Sequence, residues 1–190
     1  TGQDLVEWQL RVANGEPLPL QQHEITLTGA AIEVRLYAED PGANFLPQTG
    51  KVLRWQPANL PGVRIDHGMR EAGEVSPHYD PMVAKVIAYG KTRTDAARLL
   101  ARALDDTILL GVNHNKQFLA NLLRHPVFVS GDTSTAFIEQ HFSNDSSLKP
   151  ALANSEALLV AAALFLHDLP AHFHTGLTGA TPLILQCGET

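Results

Sequence analysis

An arginine set between two glycines is the pattern in this sequence that most invites chemistry. In Gly62-Val63-Arg64-Ile65-Asp66-His67-Gly68, strand alternation sends Val63 and Ile65 to one side and Arg64 and Asp66 to the other. A guanidinium presented on a short strand can aim its fork of N–H donors at an anion or a carbonyl oxygen. The same spacing allows a plain surface ion pair between Arg64 and Asp66, and on spacing alone the pair is favoured. A second polar segment, Ser76-Pro77-His78-Tyr79-Asp80-Pro81, is a turn that leads into the apolar run Met82 to Tyr89. Its residue types alone read as a rigid lead-in to a buried strand. Lys85 sits inside that run and must face away from Val86 or find a partner, which the sequence does not name.

Other chemical constellations are thin. There are nine histidines, but His172-Phe173-His174 is the one close pair and no third ligand lies near it, so these read as solvated loop histidines. Asn144-Asp145-Ser146 matches a glycosylation sequon, a chance match in a chain without secretory features. No phosphate-cradling GxxxxGK loop, no GxGxxG after a strand and no GxSxG elbow occurs. A single cysteine, Cys187, excludes a disulfide framework and a multi-thiolate zinc site, and fits a reducing compartment. Fourteen Lys and Arg against 20 Asp and Glu give a net charge of −6, which argues against a duplex nucleic-acid surface. The longest apolar run, Ala157 to Leu166, is far shorter than the ~20 residues a membrane-spanning helix needs. At 190 residues, 44% hydrophobic and 18% charged, the chain holds one ordinary domain with extra material at its ends.

The elements that must position these residues follow from periodicity. Leu5, Trp8 and Val12 form one helical stripe that Asn14-Gly15 stops, and Pro17, Pro19 and Gly29 mark a linker after it. From Ala31 the period becomes two, with Ile32, Val34 and Leu36 alternating with Glu33, Arg35 and Tyr37 until Glu39-Asp40-Pro41-Gly42 turns the chain. Short apolar pieces at Val52 to Trp55, Val63 to Ile65 and Met82 to Tyr89 predict an antiparallel sheet with hairpins. Helices follow: one capped by Thr92 or Thr94 with Leu100, Ala103 and Leu104 on a face, and one carrying Phe118 to Leu123 that stops before Pro126. A third, over Thr135 to Phe142, is expected to gather Phe137, Ile138 and His141. Strands followed by helices predict an α+β fold, an antiparallel sheet flanked by helices. Residues 143 to 154 read as a second linker, Asn154 or Ser155 caps a last apolar helix to Asp168, and Thr178 onward begins another strand.

These stretches also carry a family resemblance. Ala31-Ile32-Glu33-Val34-Arg35-Leu36-Tyr37-Ala38-Glu39-Asp40-Pro41 with Phe45-Leu46-Pro47-Gln48-Thr49-Gly50 resembles the opening of the biotin carboxylase C-terminal domain. Gly62-Val63-Arg64, Ser76 to Met82, Ala84-Lys85-Val86-Ile87, Gly90, Gly111 to Asn115, Phe118-Leu119 and Thr135-Ala136-Phe137 continue in that family's order and spacing. Thr1 to Gln9 resembles the helix that closes the family's preceding ATP-grasp domain. Within the family, the wording of Asp4 to Gln9 and Pro77 to Met82 is similar to α subunits of the 3-methylcrotonyl-, propionyl- and geranyl-CoA carboxylases. Ala30 stands where the family usually has histidine.

The resemblance implies a fold of the rudiment hybrid-motif type and a role in carboxylating the ureido nitrogen of protein-linked biotin with ATP and bicarbonate. It implies that Arg64 is the catalytic, substrate-binding arginine that holds the biotin ureido oxygen, with Glu33, Arg35, Glu39, Asp40, Tyr79 and Asp80 as supporting residues. It divides the chain into a terminal helix of a missing ATP-grasp domain (1–17), a linker (18–29), the C-terminal domain (30–142) and a region leading toward a biotinyl domain (143–190). The expected cofactors are biotin on a biotinyl domain, and ATP and Mg in the parent enzyme, none bound by this chain alone. Expected partners are the ATP-grasp and biotinyl domains, a second copy in a homodimer and a carboxyltransferase β subunit, with neither nucleic acid nor membrane, in the cytoplasm. A stand-alone assembly module without catalysis is the alternative that the residues leave open.

Overall fold

The computed structural model describes residues 1–149 and 155–167. They fall in two compact units, Thr1–Lys149 and a second from Pro150 onward. The first begins with helix α1 (Leu5–Ala13), whose start is held by Asp4: its Oδ1 accepts from the backbone N–H of Val6 and Glu7 at 3.0 Å each. The stripe foreseen on α1 forms, yet none of its residues is buried, and Leu5, Val6 and Leu10 are all more than 60% exposed.

The strands are β1 (Ala30–Tyr37), β2 (Glu39–Asp40), β3 (Leu46–Pro47), β4 (Gly50–Lys51), β5 (Arg54–Gln56), β6 (Val63–His67), β7 (Glu74–Val75) and β8 (Met82–Gly90). Then come α2 (Arg93–Asp106), β9 (Ile108–Leu110), α3 (Lys116–Arg124), α4 (Pro126–Ser130) and α5 (Phe137–Phe142). The main sheet is antiparallel with order β1-β8-β6. Its inner face, with Ile32, Val34, Val86 and Ala88 buried, packs on Leu100, Ala103 and Leu104 of α2 and Leu123 of α3. Thr92 caps α2, its Oγ1 accepting from Asp95 N–H at 3.1 Å. A second core, with Leu36, Val52, Trp55, Val83 and Leu109, lies at the end of the sheet. The class is α+β, as the pattern predicts.

Two expectations are corrected. The main sheet is not built from hairpins between neighbours: β8 pairs with β1, far earlier in the chain, and β5 pairs with β9. Strand β9 has only three residues, too few for a period, and its pairing depends on close approach of the chain at Gly111. There φ is +110°, and a Cβ would lie 2.2 Å from the Lys51 carbonyl oxygen. In α5, Phe142 rather than Ile138 joins Phe137 in the core: Phe118, Phe137 and Phe142 form an aromatic cluster, while Ile138 is exposed. As expected, α3 stops before Pro126; that proline also opens α4, because a proline at the first helical position loses no hydrogen bond.

In the second unit, Ser155–His167 forms α6, with Leu159 and Val160 exposed. His172, His174, Cys187 and the strand expected from Thr178 lie outside the described residues.

Candidate functional site

Alternation along three paired strands builds one open surface. Register places Glu33, Ile87 and Arg64 in one row across β1, β8 and β6, and Arg35, Lys85 and Asp66 in the next. The aliphatic residues between them point into the core, so these side chains all stand on the outer face. Three cations and two carboxylates thus share a small patch of a chain whose net charge is negative.

Arg64 is the most projecting of the five, with 74% of its side chain exposed. Its Nε and Nη2 donate to the Asp66 Oδ1 and Oδ2, both at 2.8 Å. The bidentate contact uses one edge of the fork and leaves the Nη1 side open to a further acceptor. The hydrogen bond from Arg64 holds the Asp66 carboxyl below the usual carboxylate range, and the Arg64 guanidinium is correspondingly raised. Lys85 finds the partner the sequence could not name: its Nζ lies 3.9 Å from the Asp66 Oδ2. Across the sheet, Arg35 Nε is 3.8 Å from the Glu33 Oε1.

The other residues singled out lie elsewhere. Glu39 and Asp40 form β2 at the end of the sheet and hold local structure there. Glu39 accepts from the Asn115 amide at 2.8 Å, and its burial raises its carboxyl above the ordinary value. Asp40 accepts from Gly42 N–H at 2.9 Å, capping the turn Pro41–Ala43. Tyr79, 81% exposed, and Asp80 belong to the turn before β8, which Asp80 closes by accepting from Met82 N–H at 2.9 Å. The fold therefore gathers Arg64, Glu33 and Arg35, and leaves Glu39, Asp40, Tyr79 and Asp80 apart from them.

Asn115 carries more than its sequence position announces. Buried to 4% exposure, it accepts from Tyr37 N–H at 3.0 Å and donates to the Arg35 carbonyl oxygen at 3.2 Å as well as to Glu39. This side chain ties the end of β1 to the start of α3. Beyond its place in the Gly111–Asn115 segment, the sequence marks it only as an asparagine just ahead of an apolar helix, and its side chain makes no capping bond to α3 because Tyr37 N–H takes the Oδ1.

Residues 33–140 match the family described as Biotin carboxylase C-terminal domain. The chain belongs to that family. The resemblance read from β1, β6, β8 and the Gly111–Asn115 segment is borne out along the chain. The methylcrotonoyl-CoA carboxylase subunit alpha of Arabidopsis thaliana, a mitochondrial protein, is 46% identical over 144 residues, covering 75% of this chain and 20% of that one. The biotin carboxylase of Halalkalibacterium halodurans is 45% identical over 150 residues, 79% of this chain and 33% of the relative. Among solved structures, the biotin carboxylase domain dimer of Hydrogenobacter thermophilus 2-oxoglutarate carboxylase, in complex with MgADP, ADP and bicarbonate, superposes with a TM-score of 0.72. It is 32% identical, over 80% of this chain and 33% of the other. The chain thus spans a third or less of the length of these relatives. No helix among the described residues is long and apolar enough to cross a membrane.

Proposed function

We propose that this chain is the C-terminal part of the ATP-dependent biotin carboxylase of an acyl-CoA carboxylase α subunit, and that Arg64 is its catalytic, substrate-binding residue. Biotin, presented by a biotinyl domain, supplies the ureido nitrogen that takes the carboxyl group. The observation that carries the reading is the open side of the Arg64 fork, projecting from a rigid strand and free for one oxygen acceptor. It suits a ureido oxygen: a pre-aimed guanidinium meets the negative charge that develops there without reorganising. Glu33 and Arg35 support the same face, while Glu39, Asp40, Tyr79 and Asp80 shape the turns around it.

ATP and Mg belong to an ATP-grasp domain in this reading, on which the exposed stripe of α1 packs. Among the described residues, no three His, Cys, Asp or Glu gather as metal ligands. In this reading the chain completes a biotin pocket and dimer contacts, and works together with its neighbouring domains and a carboxyltransferase β subunit. Some relatives are mitochondrial proteins; the cytoplasm is the location proposed for this chain, and its single thiol, Cys187, suits a reducing compartment of either kind.

The test is Arg64→Ala in the full-length carboxylase subunit. Biotin carboxylation is expected to fall on the order of 10²–10³, the scale of losing one oxyanion donor. Arg64→Lys should recover little, since a point charge does not reproduce the planar fork. Carboxylation at the parent rate by Arg64→Ala would overturn the assignment.

A further inference from the structure

We infer that Asp66 is a positioning residue for this reaction: its carboxylate grips the Nε–Nη2 edge of Arg64 and so holds the Nη1 side of the fork toward the oxygen of the substrate. The inference rests on the reading of Arg64 given above and extends it to a second side chain.

The geometry supports it on three counts. Arg64 and Asp66 are two apart on β6, so the pleat places them side by side on one face without turning either backbone. Both contacts are 2.8 Å and parallel, the arrangement that fixes the plane of a guanidinium as well as its place. And Asp66 is itself held: it lies opposite Lys85 in the register, with Nζ 3.9 Å away, and its side chain is 32% exposed against 74% for Arg64. The better-sheltered carboxylate anchors the more projecting cation. A long arginine standing free in water samples many rotamers, and a pin on one edge removes most of them before substrate arrives.

The opposite electrostatic effect also follows from the contact. A carboxylate beside the fork reduces the positive potential felt by an incoming oxygen. If that effect won, removing the carboxylate would speed the reaction; if positioning wins, removal slows it. The two chemistries predict opposite signs. Positioning is favoured because an oriented donor loses its contribution with small displacements, whereas the net charge of this face is shared with Lys85 and Arg35.

The experiment measures carboxylation of free biotin, with ATP and bicarbonate, by the full-length carboxylase subunit. Asp66→Asn should lower kcat about tenfold, a cost of the size small misplacements carry, with KM for biotin changed less than twofold. Asp66→Glu, which keeps a carboxylate, should recover at least half of the loss. Adding Asp66→Asn to Arg64→Ala should cost nothing further, because the residue it positions is gone. A kcat for Asp66→Asn at or above the parent value overturns the inference. So does an equal loss in Asp66→Glu, or an additive loss on the Arg64→Ala background. If Arg64→Ala is impaired and Asp66→Asn is not, only the positioning role falls. If Arg64→Ala turns over at the parent rate, the reading of Arg64 falls and takes this inference with it.

Discussion

The two faces of the β1-β8-β6 sheet are made from the same strands and do opposite things. On the inner face Ile32, Val34, Leu36, Val86 and Ala88 are buried against α2, α3 and the second core. One residue along, on the outer face, Glu33, Arg35, Arg64, Asp66 and Lys85 stand in cross-strand rows. Stability is concentrated on one side, and the chemistry assigned to the domain on the other. Because the side-chain period is two, a strand carries both without compromise, and the rigid inner packing is what gives the outer guanidinium a fixed base.

The sharpest way to break this comparison is to truncate the inner face. Leu36 is fully buried, next in sequence to the exposed Arg35. Leu36→Ala should cost about 2–5 kcal/mol of unfolding free energy by chemical denaturation, through lost burial and the cavity it leaves. Arg35→Ala, whose pair with Glu33 is long and solvated, should cost no more than ~1 kcal/mol. Equal losses would mean that the outer face contributes to the core after all.

Asn115 sharpens the comparison, since it is a polar residue on the buried side. Asn115→Leu removes three hydrogen bonds at once and leaves the Tyr37 N–H without its acceptor. The expected destabilisation is about 1–3 kcal/mol, the cost of a buried group left unpaired. Amide exchange at Tyr37 should speed up while Val34 stays protected.

A smaller effect is expected from pH. The His114 ring is half-buried, its Nε2 lies 3.1 Å from the Leu109 carbonyl oxygen, and its Nδ1 has no partner. Burial, with the charge of Lys116, pushes its pKa below the ordinary histidine value. The unfolded chain therefore takes up this proton at a higher pH than the folded one, so stability is complete above the ordinary value near ~6.5 and falls as pH drops below it. The denaturation midpoint should decrease between pH 7.5 and 5.5, and His114→Gln should flatten that slope. Glu39, whose carboxyl is raised by burial, acts in the reverse sense: its ionisation at higher pH costs stability.

How much of this was legible in the residues differs between local and distant effects. The alternation of β1 and β8 and the stripe of α2 are written in their periods, and so is the outward direction of Arg64. The resemblance carried the family, because it rested on several separated segments in order. What the sequence could not display was pairing at a distance. The β5–β9 ladder joins segments too short to show a period, and the Asp66–Lys85 contact exists only because β6 and β8 are adjacent. The three hydrogen bonds of Asn115 likewise cross most of the domain. In α5, side-chain size misled: Phe142 takes the buried place that helical spacing offered to Ile138.

The smallest expected effect is on stability, at Arg64, the outer residue proposed to bind substrate. Arg64 contributes to folding only through its contact with Asp66, and both ends of that contact are open to water, where screening and side-chain entropy cancel most of the attraction. Its backbone lies in a strand whose ladder to β8 does not depend on the side chain, since Val63 and Ile65 supply the packing toward the core. Arg64→Ala should therefore leave the denaturation midpoint of the domain where it was, in both low and high salt. A lowered midpoint that salt does not change would mean that the aliphatic stem of Arg64 packs against Ile87 and helps hold the sheet. The same substitution could not then be used to separate catalysis from folding, and Arg64→Met, which keeps the stem and removes the fork, would take its place. An unchanged midpoint together with lost carboxylation would instead tie the residue's whole contribution to the proposed contact with the substrate oxygen.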